Sequence, residues 1–377
     1  MDIVTREYSF PSVTGLSDIY AKSWAPSEER EVTAVIQILH GMAEHIARYD
    51  AFASYLCGQG FAVFANDHVG HGKSAKSDEE LGYFGEENGW KAFARDAKQV
   101  TDLARKAYPG RPILIFGHSM GSFAARYYTE LYGNEISGAI YCGTSGENPA
   151  AGIAVGLASF VAKRRGSRYR SEFINRLAFG SYNKKCDSPR TAFDWLTKEE
   201  EIVDRYLQDP WCGFLFTAAG YRDLFSLLKH VSAPKWYQKV PYPLPILLIS
   251  GEMDPVGDYG KGVRQVYRDL KKTGHGDVTL KLYPGDRHDS VRIHHHPGLV
   301  VLRQPLHHVP VRALRHPSVP GDLRGRGLPR RHRRGRHRVD DLGHRQRAHG
   351  HPQHHRRAAA ERHDRARDAP LCLRRQP

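Results

Sequence analysis

Ile113-Leu114-Ile115-Phe116-Gly117-His118-Ser119-Met120-Gly121-Ser122-Phe123-Ala124-Ala125-Arg126 decides how this chain is read. Four apolar residues at its start suit a buried strand. Residues 117–121 then fit G-x-S-x-G, and a helical stretch runs on through Tyr128. Strand, G-x-S-x-G and helix in that order make a nucleophile elbow, a sharp turn that holds a serine hydroxyl above the end of a sheet. Gly117 and Gly121 leave room for the turn. The helix that starts behind Ser119 aims backbone N–H groups at any anion forming there, which makes the Met120 amide a candidate oxyanion donor. An ordinary serine on a glycine-rich turn is the plainer alternative, and the strand and helix on either side weigh against it.

Strand and helix alternate outward from the elbow. Residues 3–10 and 16–24 alternate in polarity around Pro11 and Gly15 and read as an antiparallel hairpin. Strands are expected over 32–39, 61–65 and 136–142, and helices over 51–57 and 91–108. The second helix shows its period in Phe93, Ala97, Val100, Leu103, Ala104 and Ala107. This rhythm of right-handed βαβ units implies an α/β fold, a mostly parallel sheet with helices on both faces. It breaks at Gly146 and resumes with a strand over 246–250, a helix over 256–272 and a strand over 278–283. The expected domains are a core of residues 1–145 and 236–290 and a helical cap or lid inserted over 146–235.

Within the cap, residues 150–161 are small and apolar and run into Lys163-Arg164-Arg165. They read first as a helix packed on the core with a solvated basic end. A mobile lid that touches a lipid surface is the second reading. Trp195, Trp211, Phe214, Phe216 and Tyr221 are candidates for an acyl pocket, although aromatics at such spacing commonly belong to the core.

The formal net charge of +15 is unevenly placed. Residues 291–377 hold 21 Arg, no Lys and 6 acidic residues, whereas the first 290 are neutral with 35 basic and 35 acidic residues. The last 87 residues also lack Phe, Tyr, Trp, Met, Asn and Thr, and they carry 14 of the 22 histidines. Such a composition cannot bury a core, and a disordered tail is expected. An Arg-, Pro-, His- and Ala-rich text of this kind is what a GC-rich reading frame yields out of register, so residues from about 290 read as a frameshift product. A genuine basic extension that binds nucleic acid or anionic lipid is the alternative, with nucleic acid not expected as a partner. The other two reading frames decide between them. Five scattered cysteines (Cys57, Cys142, Cys186, Cys212, Cys372) show neither a disulfide framework nor zinc spacing. The His294–His296 triplet is not expected to form a metal site. With no signal-type start and no apolar run of about 18 residues, a cytoplasmic location is expected.

A serine nucleophile needs a base, and the base needs an orienting acid. In elbow hydrolases the chain order is Ser, then acid, then His. The strand over 246–250 ends in Gly251-Glu252-Met253-Asp254-Pro255, which makes Asp254 the candidate acid and Glu252 and Asp258 its competitors. His288, five residues after Tyr283, is the candidate base, with His275 the weaker choice. A second oxyanion donor is expected from the loop His40-Gly41-Met42, where Gly41 permits a close backbone approach and the Met42 amide faces the anion.

Several segments resemble the monoacylglycerol lipase and lysophospholipase family of α/β-hydrolases. His40-Gly41-Met42-Ala43-Glu44-His45-Ile46-Ala47-Arg48-Tyr49 is similar to its HG-x-x-EH-x-x-RY segment. Asp67-His68-Val69-Gly70-His71-Gly72-Lys73-Ser74 is similar to its DH-x-GHG-x-S loop. Residues 117–122 resemble its GHSMGG elbow, with Ser122 replacing the last glycine. Asp254-Pro255-Val256-Gly257 and Tyr283-Pro284-Gly285-Asp286-Arg287-His288 resemble bacterial members. The resemblance spans residues 10–289 and is weakest in the cap. It implies an α/β-hydrolase fold, a cofactor-free serine hydrolase and a small acyl ester of a glycerol-like or lysolipid alcohol as substrate. It also implies Ser119 as nucleophile, Asp254 and His288 as its partners, and Met42 and Met120 as oxyanion donors. It fails at residue 289, where family members continue into a C-terminal helix packed on the sheet. Loss of that helix predicts marginal stability, a loosely held His288 and reduced turnover. The alternatives are a catalytically impaired binding module on the same fold and a binder acting through the basic tail. Oligomeric state and acyl preference are not encoded legibly.

Overall fold

The computed structural model describes residues 2–28 and 32–289. Its sheet has eight strands: β1 (Ile3–Pro11), β2 (Asp18–Pro26), β3 (Ala34–Leu39), β4 (Phe61–Asn66), β5 (Ile113–His118), β6 (Gly138–Cys142), β7 (Ile246–Gly251) and β8 (Val278–Tyr283). They lie in the order β1-β2-β4-β3-β5-β6-β7-β8. The β1–β2 hairpin is antiparallel and joins β4 antiparallel, and every pairing from β4 to β8 is parallel. Strands buried on both faces should be nearly continuous in apolar residues, and β3, β5, β6 and β7 are buried at every position.

The helices are α1 (Asp50–Gly58), α2 (Trp90–Ala107), α3 (Met120–Tyr132), α4 (Ala151–Arg165), α5 (Glu172–Phe179), α6 (Glu200–Gln208), α7 (Ala218–Ser232), α8 (Pro234–Tyr237) and α9 (Lys261–Lys272). Side chains alternate across each strand, so the sheet has two apolar layers. On one face Val35, Phe64, Ile115, Tyr141 and Leu248 meet residues of α2, α3, α7 and α9. On the other, Ile36, Val63, Leu114, Phe116, Ile140 and Leu247 meet Phe52, Ala53 and Leu56 of α1. Among the described residues α1 is the one α-helix in that second layer. This is the α/β-hydrolase fold, with a helical insertion, α4 to α8, between β6 and β7.

Most element ends lie within two residues of the sequence reading, and two helices depart from it by more. The helix expected over 256–272 begins only at Lys261. Asp258, Tyr259 and Gly260 take φ values of +48°, +54° and +83°, a left-handed turn that no helix can run through. The helix behind the elbow, read from the sequence as residues 122–128, begins at Met120 directly after the serine and runs to Tyr132. The 291–377 tail, its expected disorder and its frameshift reading lie outside the described residues. No described helix is long and apolar enough to cross a membrane.

Candidate active site

The elbow is strained in the way its motif requires. Ser119 has φ +56° and ψ −123°, a conformation that costs a non-glycine residue roughly 1–3 kcal/mol. It is held because β5 ends at His118 and α3 starts at Met120, while the Ser119 amide donates to the Cys142 carbonyl at 2.9 Å. The two glycines serve close approach. A Cβ on Gly117 would lie 2.2 Å from the Gly121 carbonyl oxygen, and one on Gly121 would lie 2.0 Å from that of Leu39.

The loop after β3 lies against the serine. A Cβ on Gly41 would stand 3.1 Å from Ser119 Cβ and 2.8 Å from Glu44 Oε1. Met42 and Met120 line the same cavity as Ser119. Behind this loop sit three buried histidines. His40 Nε2 accepts from the His68 amide at 2.9 Å, and His71 Nε2 accepts from the Ala43 amide at 3.4 Å. Burial pushes His68 down to about 4 and His71 down to about 3, so all three imidazoles, His40 included, are neutral scaffolding near neutral pH.

Asp254 and His288 come together across the end of the sheet. His288 Nδ1 is 2.9 Å from Asp254 Oδ1. Asp254 is fully buried; its Oδ1 also accepts from the Val256 amide at 2.8 Å and its Oδ2 from Ser250 Oγ at 3.1 Å. Burial pulls the His288 pKa down, but the attraction and hydrogen bonding of Asp254 outweigh it, so the net shift is upward. His288 and Ser119 line one cavity. Of the competitors for the acid, Asp258 also lines this cavity. Glu252 faces Arg264 at 3.3 Å, and Asp258 is an exposed turn residue. His275 places both ring nitrogens 3.1 Å from the carbonyls of Leu270 and Val240, inside the core.

A buried charge network lies beneath the site, and the sequence reading assigned it no role. Glu44 Oε1 accepts from the Gly41 amide at 2.5 Å and from Tyr49 Oη at 3.0 Å, and its Oε2 accepts from Arg48 at 2.6 Å. Arg48 lies 3.7 Å from Asp289, which in turn lies 3.3 Å from His118 Nε2. Glu44 and Arg48 stand in the HG-x-x-EH-x-x-RY segment four residues apart, the spacing at which a turn of helix pairs opposite charges. That signal was available; Asp289, at the last described position, gave none.

The cavity holds about 1090 Å³. Ile153, Leu157, Leu177, Phe214 and Leu228 form apolar walls, whereas Glu147, Asn148, Lys261 and Arg268 give one side a polar lining. Of the aromatic candidates, Trp195 and Phe214 line it. Phe216 and Tyr221 are fully buried in the core, and Trp211 stacks edge-on against His45. His45, Asp209 and Cys212 have ligand-type atoms within 4.8 Å of one another, but the imidazole and carboxylate already pair at 2.7 Å.

Residues 30–292 match the profile of the family described as serine aminopeptidase, S33. The chain belongs to that family. It is 29% identical over 287 residues to a monoacylglycerol lipase of Mycolicibacterium smegmatis, spanning 75% of this chain and 90% of that one. It is 29% identical over 277 residues to the monoglyceride lipase of Mus musculus, spanning 72% and 79%. A thermostable carboxyl esterase from Bacillus coagulans, solved in complex with glycerol, superposes with a TM-score of 0.72 at 30% identity, over 81% of this chain and 96% of that one. This S33 chain is thus a serine-hydrolase-family protein of the monoglyceride-lipase-like type.

Proposed function

We propose that the protein hydrolyses carboxylic esters of lipid-like alcohols, monoacylglycerol or lysophospholipid, through an acyl-enzyme. Ser119 Oγ attacks the ester carbonyl while His288 takes its proton. Asp254 holds the imidazole by Nδ1 and stabilises the imidazolium. The Met42 and Met120 amides stabilise the oxyanion. His288 then protonates the leaving alcohol, and water, activated by the same imidazole, releases the fatty acid. The observation that carries this reading is the buried Asp254–His288 pair at the cavity that Ser119 opens into. The apolar walls suit an acyl chain, and the relatives that are lipases and esterases suit the same chemistry. A lowered turnover belongs to the proposal too, on the ground that the composition of residues 291–377 departs from that of the chain before them.

The insertion of residues 146–235 serves in this reading as a cap over the site. Ile153 and Leu177 line the cavity and are 78% and 64% exposed, and Phe160 and Phe173 are 58% and 55% exposed. We take this rim as a contact for a lipid surface, the place where an insoluble substrate enters.

The deciding experiment labels the protein with a fluorophosphonate and assays monoacylglycerols, lysophospholipids, short-chain esters and a prolyl arylamide. Labelling and ester turnover lost in Ser119→Ala are expected. No label, or label undiminished in the variant, overturns the reading in favour of an inactive binding module; turnover of the arylamide alone would replace the ester with a peptide bond.

A further inference from the structure

Three consecutive residues at the base are hydrogen-bonded to four consecutive carbonyls of the insertion. Arg287 Nη1 donates to the carbonyls of Asp194 and Thr197 at 2.7 and 3.0 Å. The His288 amide donates to Trp195 at 3.4 Å, and the Asp289 amide to Leu196 at 2.7 Å. The Trp195 ring also lies against the His288 ring, 5.1 Å between centroids. Trp195 is fixed in turn by Tyr182, edge-on at 4.9 Å, and by Asn183, whose Oδ1 accepts from the Trp195 amide at 2.8 Å. On its other side the loop is tied to the end of β7: the Met253 amide donates to Asp286 at 2.8 Å and the Glu252 amide to Tyr283 at 2.9 Å.

We propose that the 194–197 segment of the cap is the clamp that positions His288, with Arg287 as the positioning residue, so that cap docking and assembly of the base are one event. This rests on the serine-hydrolase reading above. The loop 284–289 has no regular structure of its own to fix an imidazole. Its ties to the end of β7 reach only as far as Asp286, and beyond it the His288 and Asp289 amides both donate to the cap. A guanidinium donating to two carbonyls is charge-assisted and sets both distance and angle. It grips the carbonyls on either side of Trp195 and Leu196, and so presents their own carbonyls to the His288 and Asp289 amides. Any displacement of 194–197 that admits a bulky substrate therefore also moves the ring that must accept the Ser119 proton. A tilt of about 1 Å at such a position costs on the order of 100-fold in rate. The clamp also answers the expectation that His288 lacks an anchor: it is anchored from the cap.

The test uses full-length protein and a small soluble ester that needs no cap contact to bind. Arg287→Met is expected to lower kcat by about 10- to 100-fold with KM within about two-fold, to slow fluorophosphonate labelling in parallel, and to move the acid limb of the pH profile downward as His288 loosens from Asp254. Arg287→Lys, which keeps a cationic donor, is expected to recover much of the loss. Wild-type kcat and pH profile in Arg287→Met overturn the clamp. A wild-type protein that takes no fluorophosphonate overturns the serine reading instead, so the two failures are told apart. Should Arg287→Met not fold, hydrogen exchange on the wild type serves. Amides of 286–289 and of the facing segment 193–198 are expected to gain protection together when Ser119 is phosphonylated, and independent exchange of the two overturns the coupling.

Discussion

The Gly41 amide donates to Glu44 Oε1 at 2.5 Å, and this bond shapes the loop after β3 from behind. The same carboxylate takes Arg48 and Tyr49, all within a buried patch. Removing one partner of a buried ion pair leaves the other charge uncompensated, at a cost of about 3–5 kcal/mol. Glu44→Ala should therefore lower the melting temperature sharply and depress kcat, because Gly41 and Arg48 lose their acceptor together. Glu44→Gln keeps an acceptor for the Gly41 amide and should retain more activity than stability. Thermal melts alongside ester kinetics check both; equal kcat in Glu44→Ala and wild type would remove the loop from the reaction.

The pH dependence follows from the His288 environment. In the proposed reaction only the neutral imidazole accepts the Ser119 proton, so kcat/KM should fall as His288 is protonated. Its pKa is shifted upward, burial opposing and Asp254 prevailing, so the acid limb should have its midpoint above the ordinary value of 6.5. Asp254→Asn removes the carboxylate while burial remains. The limb should then move below 6.5, and kcat should fall by about 10⁴-fold through loss of the correct tautomer. A pH–rate profile of both proteins on a soluble ester decides this; an unmoved limb means another group titrates.

Close packing of α3 on β3 gives a stability prediction with an internal control. A Cβ on Gly121 would meet the backbone oxygens of Leu39 and His40 at 2.0 and 2.5 Å, and neither can swing aside as a side chain can. Gly121→Ala should destabilise by about 3 kcal/mol or more, lowering the melting temperature by roughly 6–12 °C. Gly156, inside α4, has nothing within 4 Å of where a Cβ would stand and no positive φ. Gly156→Ala should be neutral or stabilise by up to about 1 kcal/mol. Equal effects in the two variants would deny Gly121 its packing role.

The core was legible because the central strands are mostly apolar runs, and three of them are followed closely by a candidate site residue. Ser119 follows β5, Gly41 follows β3 and Asp254 follows β7, as order along the chain alone suggested. The turn over 258–260 was hidden because Asp258 and Tyr259 give no local sign of a left-handed backbone, and Val256 carries the helical period backward past the real start. The Glu44–Arg48–Asp289 network was hidden for a different reason. Its members are 245 positions apart at the extremes, and only the assembled fold brings the end of the β8 loop beside the loop after β3. Which cap residues touch the base was likewise unreadable, since carbonyl oxygens at 194–197 carry no side-chain signature.

The rim of the cap supplies the last prediction. Ile153 and Phe160 are seven residues apart on α4, and Phe173 and Leu177 four apart on α5, so each pair shares one helical face. All four are more than half exposed, and Ile153 and Leu177 also line the cavity, which is unusual for large apolar side chains on a surface. Burying such a side chain fully is worth about 1.5–3 kcal/mol, and partial insertion into a lipid interface recovers part of that. Replacing Phe160 and Phe173 together by Ser should reduce binding to phosphatidylcholine vesicles by about 10-fold, the equivalent of about 1.4 kcal/mol. Turnover of a dissolved short-chain ester should stay near wild type, because neither side chain lines the cavity of Ser119, while turnover of monoacylglycerol presented in vesicles should fall with binding. Vesicle sedimentation and the two assays read this directly. Unchanged sedimentation would return the rim to an ordinary solvated surface, with the substrate reaching Ser119 from solution.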